Sequence, residues 1–128
     1  MEQTKIHMPG NRSTPEILFD PGAGIYRISG ISIPANASEF YAPVIDWLRT
    51  NIPTLPEPRP VVFELEYFNS SSMKTLFLTL MELKKGLEMG RIGMINWLVE
   101  EDDEGMIDAG ETLAELAGIE INVVIADQ

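Results

Sequence analysis

The stretch PVVFELEYFNSSSMKTLFLTLMELKKGLEMG, residues 60–90, changes its hydrophobic period in the middle. Before Asn69 the apolar residues alternate as in a strand. Val61, Phe63, Leu65 and Tyr67 share one face, and Val62 and Phe68 add apolar surface to the other, around Glu64 and Glu66. From Ser70 the repeat becomes helical. Met73, Leu76, Phe77, Leu80, Leu83 and Leu87 form a stripe, with Lys74, Glu82, Lys84, Lys85 and Glu88 toward water and Gly90 as a natural stop. Between the two lie Asn69, Ser70, Ser71 and Ser72. The first N–H groups of a helix have no partner within it, and short polar side chains at this turn satisfy them, so Asn69 is the expected cap. A hydroxyl here is either part of the cap or a place for a phosphate, which would bring about two negative charges to the positive end of the helix dipole. Capping is the simpler account of the spacing alone.

Outward from that turn, the pattern alternates strand and helix. Glu16 to Asp20 and Ile25 to Ser29 read as two strands joined by Pro21-Gly22-Ala23-Gly24, an antiparallel hairpin. Asn36 or Ser38 caps a helix reaching about Arg49, with Phe40, Tyr41, Val44, Ile45 and Leu48 on its stripe. Pro53, Pro56, Pro58 and Pro60 make residues 51–60 an extended crossing, neither helix interior nor central strand. Ile92 to Val99 is apolar enough for a central strand. A helix over roughly Met106 to Ala117 follows, closed by Gly118, and Ile119 to Ala126 is the last strand. Residues 1–15 read as a loop-like N-terminal segment. The expectation is a single α/β domain over residues 1–128, ordered β-β-α-β-α-β-α-β. Its mixed sheet is mostly parallel, with the N-terminal hairpin as an antiparallel edge.

Composition narrows the function. The chain has 128 residues, 45% apolar and 23% charged, within the range of folded domains. Twenty acidic against nine basic residues leave a net charge of −11, which disfavours nucleic acid and anionic membrane surfaces. There is no cysteine, so disulfides, thiolate metal sites and thiol catalysis are excluded. No apolar run approaches the ~20 residues of a membrane span and the N-terminus has no signal-peptide core, so a cytoplasmic protein without membrane attachment is expected.

Catalytic alternatives are thin. His7 is the one histidine and lies in a polar stretch, as a solvated tail residue would. The chain has no GxSxG elbow and no glycine-rich phosphate loop. The run Glu100-Glu101-Asp102-Asp103-Glu104 lacks EF-hand spacing and suits a solvated helix start; no metal and no cofactor are expected. Glu64 and Glu66, two apart on one face, are compatible with paired carboxylates but more simply mark a solvated or ion-paired face. Met73, Met81 and Met89 recur at eight-residue spacing, as core packing or as an adaptable partner surface.

The residues Tyr67-Phe68-Asn69-Ser70-Ser71-Ser72-Met73-Lys74-Thr75-Leu76 resemble the YxNTSSxxxL signature of the SiaC family of bacterial regulatory phosphoproteins. The likeness extends to Ser13-Thr14-Pro15-Glu16-Ile17, to Gly30-Ile31-Ser32-Ile33-Pro34, and to Phe40-Tyr41 with Val44-Ile45-Asp46-Trp47-Leu48. It implies a STAS-like domain similar to anti-sigma-factor antagonists, in which a hydroxyl at a helix start is phosphorylated by a protein kinase and freed by a PPM-type Ser/Thr phosphatase. The family's phosphorylated threonine corresponds here to Ser70, with Ser71 and Ser72 as fallback sites. The resemblance implies a non-enzymatic partner switch, which unphosphorylated binds and stimulates a diguanylate cyclase in cyclic di-GMP signalling and biofilm control. Tyr67, Phe68, Met73 and Lys74 are the expected rim of the partner face. An anti-sigma-factor antagonist acting on an anti-sigma kinase is the alternative, and a small hydrolase using Ser70 with Glu64 or Glu66 the more distant one.

Overall fold

The structure, a computed structural model, describes residues 5–126. Three antiparallel strands come first: β1 (Ile6–Met8), β2 (Glu16–Asp20) and β3 (Ile25–Ser32). Then follow α1 (Ala37–Asn51), a 3-10 turn (Ile52–Thr54), β4 (Arg59–Phe68), α2 (Ser70–Glu88), β5 (Ile92–Val99), α3 (Glu104–Ala117) and β6 (Asn122–Ile125). The sheet order is β1-β2-β3-β4-β5-β6, with β3 to β6 parallel. Each crossover from β3 onward advances one place in the same direction. Right-handed connections therefore put all three helices on one face and leave the other open. Ile25, Met94 and Val124 are exposed on that open face.

The core lies between sheet and helices. Ile17, Phe19, Ile28, Phe63, Ile95 and Trp97 from the strands meet Tyr41, Val44, Leu48, Leu76, Leu80, Leu83 and Leu113 from the helices. Phe19 stacks on Trp47 and Phe63 on Trp97, at 5.6 and 5.5 Å between ring centres. Two glycines set the helix distances. A Cβ on Gly86 would stand 2.5 Å from Ile92 Cγ1, and one on Gly110 would stand 2.7 Å from the Trp97 ring.

Four readings of the sequence are corrected. The loop-like N-terminal segment contains β1, so the order becomes β-β-β-α-β-α-β-α-β; Ile6 and Met8 are half-buried around exposed His7, too short a run to show a period. The part of that segment in residues 1–4 lies outside the described residues. The proline-rich crossing holds a helical turn and the start of β4, where Pro60 sits in a strand. A register irregularity between Arg59 and Pro60 accommodates it, opposite Gly93, whose missing side chain lets the backbones approach. The last strand is only Asn122–Ile125. Finally, Glu82 does not face water. It is 7% exposed and receives Arg49 Nη2 from α1 at 3.1 Å and Lys85 Nζ at 3.2 Å.

Burial alone would raise the Glu82 carboxyl, but the hydrogen bonds and charges of Arg49 and Lys85 outweigh it and hold it below the usual range. A depressed folded-state value means stability that is complete above the unfolded value of about 4.3. It is lost as pH falls through the lower folded value. Glu82→Gln is therefore expected to cost about 1 kcal/mol at pH 7, since Arg49 and Lys85 are mostly solvated. The difference should shrink progressively as the pH falls below about 4.3, as urea denaturation at a series of pH values would report. A gap that did not change with pH would mean that packing, not charge, ties α1 to α2.

Candidate functional site at the start of the central helix

The strand-to-helix turn is built as its residue types dictate. Asn69 is extended (φ −92°, ψ 175°), and its Oδ1 accepts the Ser72 N–H at 3.1 Å, the bond expected of an N-cap. The Ser71 hydroxyl donates to the same oxygen at 3.0 Å. Ser72 turns inward. Its side chain is fully buried, donating to the Ser32 carbonyl at 2.9 Å and meeting the Ser32 hydroxyl at 2.9 Å. The Ser32 hydroxyl in turn lies 2.7 Å from the Tyr41 hydroxyl. The Asn69 N–H also reaches the Ser32 carbonyl, at 3.2 Å. A buried chain of three hydroxyls thus ties the turn to the end of β3 and to α1. Burial pushes the Tyr41 phenol up to about 12, only partly offset by its bond to Ser32, so it stays protonated.

The three serines therefore differ. Ser72 is sealed in the core, Ser71 is exposed but engaged by the cap, and Ser70 is exposed with no hydrogen bond from its hydroxyl among the described residues. Ser32 and Tyr41 were not singled out as site residues in the sequence, although both lie in segments that carry the family resemblance. Ser32→Ala is expected to cost about 2 kcal/mol, more than Ser72→Ala, because it strands the buried Tyr41 hydroxyl. Adding Tyr41→Phe should then recover part of the loss, as a double-mutant cycle of thermal or urea melts would measure. Purely additive losses would show that the hydroxyls act independently.

A bulge in β4 decides what surrounds Ser70. Gly30 pairs with Leu65 and Ile31 with Tyr67, so Glu66 is an extra residue opposite a glycine held at φ +107°. The inward alternation of Val61, Phe63 and Leu65 is broken there. Tyr67, expected on the core face, is 57% exposed, and Phe68, expected on the opposite face, turns edge-on to Trp97 at 6.3 Å. Of the expected rim, Tyr67 and Lys74 face solvent, Met73 is half-buried, and Phe68 is largely part of the packing.

Beside Ser70 runs a shallow groove of about 360 Å³ lined by Ser70, Met73, Lys74 and Phe77 of α2 and Leu116 of α3. Its walls are mainly apolar, and Leu116 is 61% exposed. Leu116 escaped the sequence reading; its signal is an apolar residue beside Glu115, off the α3 stripe of Met106, Gly110, Leu113 and Ala117. Met81 is half-buried against the core and Met89 is exposed at the far end of α2, so the three methionines do not form one surface. Glu64 and Glu66 line a different cleft, with Glu100 and Asp103, at the carboxyl ends of β4 and β5. Asp103 caps α3 through the Met106 N–H at 3.1 Å. His7 Nε2 lies 3.2 Å from Glu16, to which Arg27 also binds. The bond to His7 above all, with the bond and charge of Arg27, holds the Glu16 carboxyl below its usual range against the desolvation that would raise it. Among the described residues no cluster of His, Asp or Glu could hold a metal, and no helix is long and apolar enough to cross a membrane.

Residues 8–126 match the model of the SiaC family of regulatory phosphoproteins. The chain belongs to the SiaC family. A Pseudomonas aeruginosa (strain UCBPP-PA14) relative, itself uncharacterised, is 31% identical over 110 residues, covering 86% of this chain and 87% of the relative. Apo-SiaC of P. aeruginosa superposes with a TM-score of 0.82 at 27% identity, over 98% of this chain and all of that one. SiaC in its complex with the diguanylate cyclase SiaD, which it activates, matches with a TM-score of 0.83 at 28% identity, over 94% of this chain and 99% of that one. Family membership makes this chain a regulatory phosphoprotein, and that class implies a non-enzymatic role.

Proposed function

We propose that this chain is a phosphorylation-controlled partner switch of cyclic di-GMP signalling. With Ser70 unmodified it binds and stimulates a diguanylate cyclase. A protein kinase transfers the terminal phosphoryl group of ATP to the Ser70 oxygen, releasing the hydroxyl proton, and binding stops. A PPM-type Ser/Thr phosphatase restores it. The switch works in the cytoplasm, where the cyclase finds GTP, and its output is biofilm and aggregation control.

The observation that carries this reading is the Ser70 hydroxyl: exposed, without a hydrogen-bond partner among the described residues, and on the rim of an apolar groove. A modifying enzyme can reach it without opening the fold, whereas Ser72 would first have to leave the core. Met73 and Lys74 line the same groove, Phe77 and Leu116 extend the proposed partner face, and exposed Tyr67 lies three residues before Ser70. The activator role of the similar P. aeruginosa protein favours a cyclase over an anti-sigma kinase as partner. A hydrolase reading finds little support: among the described residues the Ser70 hydroxyl is hydrogen-bonded to no histidine or carboxylate, and the single histidine is paired with Glu16.

The test begins with the unphosphorylated chain as bait in lysate of its own source cells. A recovered diguanylate cyclase is then assayed with GTP, with and without the chain. Faster cyclic di-GMP synthesis supports the reading; a purified cyclase that neither binds nor responds would overturn it.

A further inference from the structure

Lys74 follows Ser70 by four positions on α2, the spacing at which helical side chains lie over one another with Cβ atoms about 5–6 Å apart. Both line the groove, and Lys74 is the one charged residue in that lining. Four cations are engaged in ion pairs elsewhere, Arg27 with Glu16, Arg49 and Lys85 with Glu82, and Arg59 with Glu57, and of the others only Lys74 lines this groove. Lys74 is exposed and makes no ion pair among the described residues. In a chain of net charge −11, an unpaired lysine beside the proposed phosphorylation site stands out from the surrounding field.

We infer that Lys74 is the intramolecular partner of a phosphate on Ser70. This rests on the reading of Ser70 as the switch residue and adds what the phosphate does once attached. The Lys74 ammonium donates charge-assisted hydrogen bonds to the phosphate oxygens, and its four-carbon stem swings toward the first turn of α2. The dianion is then held along the groove instead of projecting into water. Modification thereby changes the groove twice: it adds a hydrated anion at the rim, and it removes the cation that a partner's carboxylate could meet.

The experiment uses the full chain with phosphoserine incorporated directly at position 70, so no kinase is needed. Phosphorus NMR follows the second ionisation of the phosphate with pH in the wild type, in Lys74→Gln and in Lys74→Arg. The groove lining offers no other titrating or charged group to confuse the curve. Lys74→Gln is expected to raise the ionisation midpoint by about half a pH unit, and Lys74→Arg to restore it. The gap should shrink in 1 M salt, where the Debye length is about 3 Å. Circular dichroism confirms that the Gln variant is folded, as an exposed position predicts. An unchanged midpoint in folded Lys74→Gln overturns the inference. Failure of the switch reading looks different: native protein without phosphate at Ser70, with the titration result left standing.

Discussion

A chain phosphorylated on Ser70 is expected to bind its diguanylate cyclase about a thousand-fold more weakly than the unmodified chain, with its fold intact. The groove wall beside Ser70 is made of Met73, Phe77 and Leu116, so a partner covering it must strip water from that rim. Desolvating a charge that the partner does not pair costs several kcal/mol, and ~4 kcal/mol is already a thousand-fold in affinity. Lys74 offsets only part of a dianion. The same charge is harmless to the fold, because Ser70 is the first residue of α2 and its phosphate sits at the positive end of the helix dipole. Ser70→Ala should bind as the wild type does. Ser70→Asp should lose affinity, by less than the phosphate, since it carries one charge on a shorter arm. Isothermal titration of the four proteins against the cyclase measures the series. Undiminished binding by the phosphorylated chain would remove Ser70 from the interface.

Gly110→Ala is expected to destabilise the domain by about 2 kcal/mol, although alanine in a helix interior normally gains about 1 kcal/mol over glycine. The new Cβ would lie 2.7 Å from Trp97 Cδ1 and 2.8 Å from its Nε1. The indole has nowhere to go. It is 1% exposed, stacked on Phe63, met edge-on by Phe68, and bonded through Nε1–H to the Met106 carbonyl at 2.9 Å. Either α3 lifts from the sheet or the ring is displaced, and overpacking of this kind costs about 1–3 kcal/mol. The melting temperature should fall by roughly 8 °C. Tryptophan fluorescence during urea denaturation reads both the loss and the changed indole environment. Equal or higher stability would show that α3 slides off Trp97 without cost.

What could be read in advance was local. Helix α2 and the Asn69 cap stood out because the hydrophobic period switches from two to the helical repeat at a residue suited to capping, and both signals lie within a few positions. Strand β5 is legible with its true ends because an apolar run interrupted only by Asn96 is bounded by Gly90 and the acidic segment. Strand β1 was missed because an edge strand of three residues needs only one neighbour and leaves no period. Tyr67 and Phe68 were assigned to the wrong faces because a bulge depends on how β4 registers against β3, not on β4 alone. In sequence Glu82 reads as solvated, because its chief partner, Arg49, comes from another helix.

The amino-acid sequence determined by itself the alternation of strands and helices, the cap at Asn69, the acidic charge that disfavours nucleic acid, and three serines in a row at a helix start. Tertiary structure decided which serine is which. Ser72 is buried because β3 brings the Ser32 carbonyl and hydroxyl to it, whereas the exposed Ser70 hydroxyl is given no hydrogen-bond partner among the described residues. It also placed Leu116 of α3 across from Met73 and Phe77. Periodicity reports the face of one element, whereas a groove and a buried hydroxyl chain exist only where residues distant along the chain are packed together.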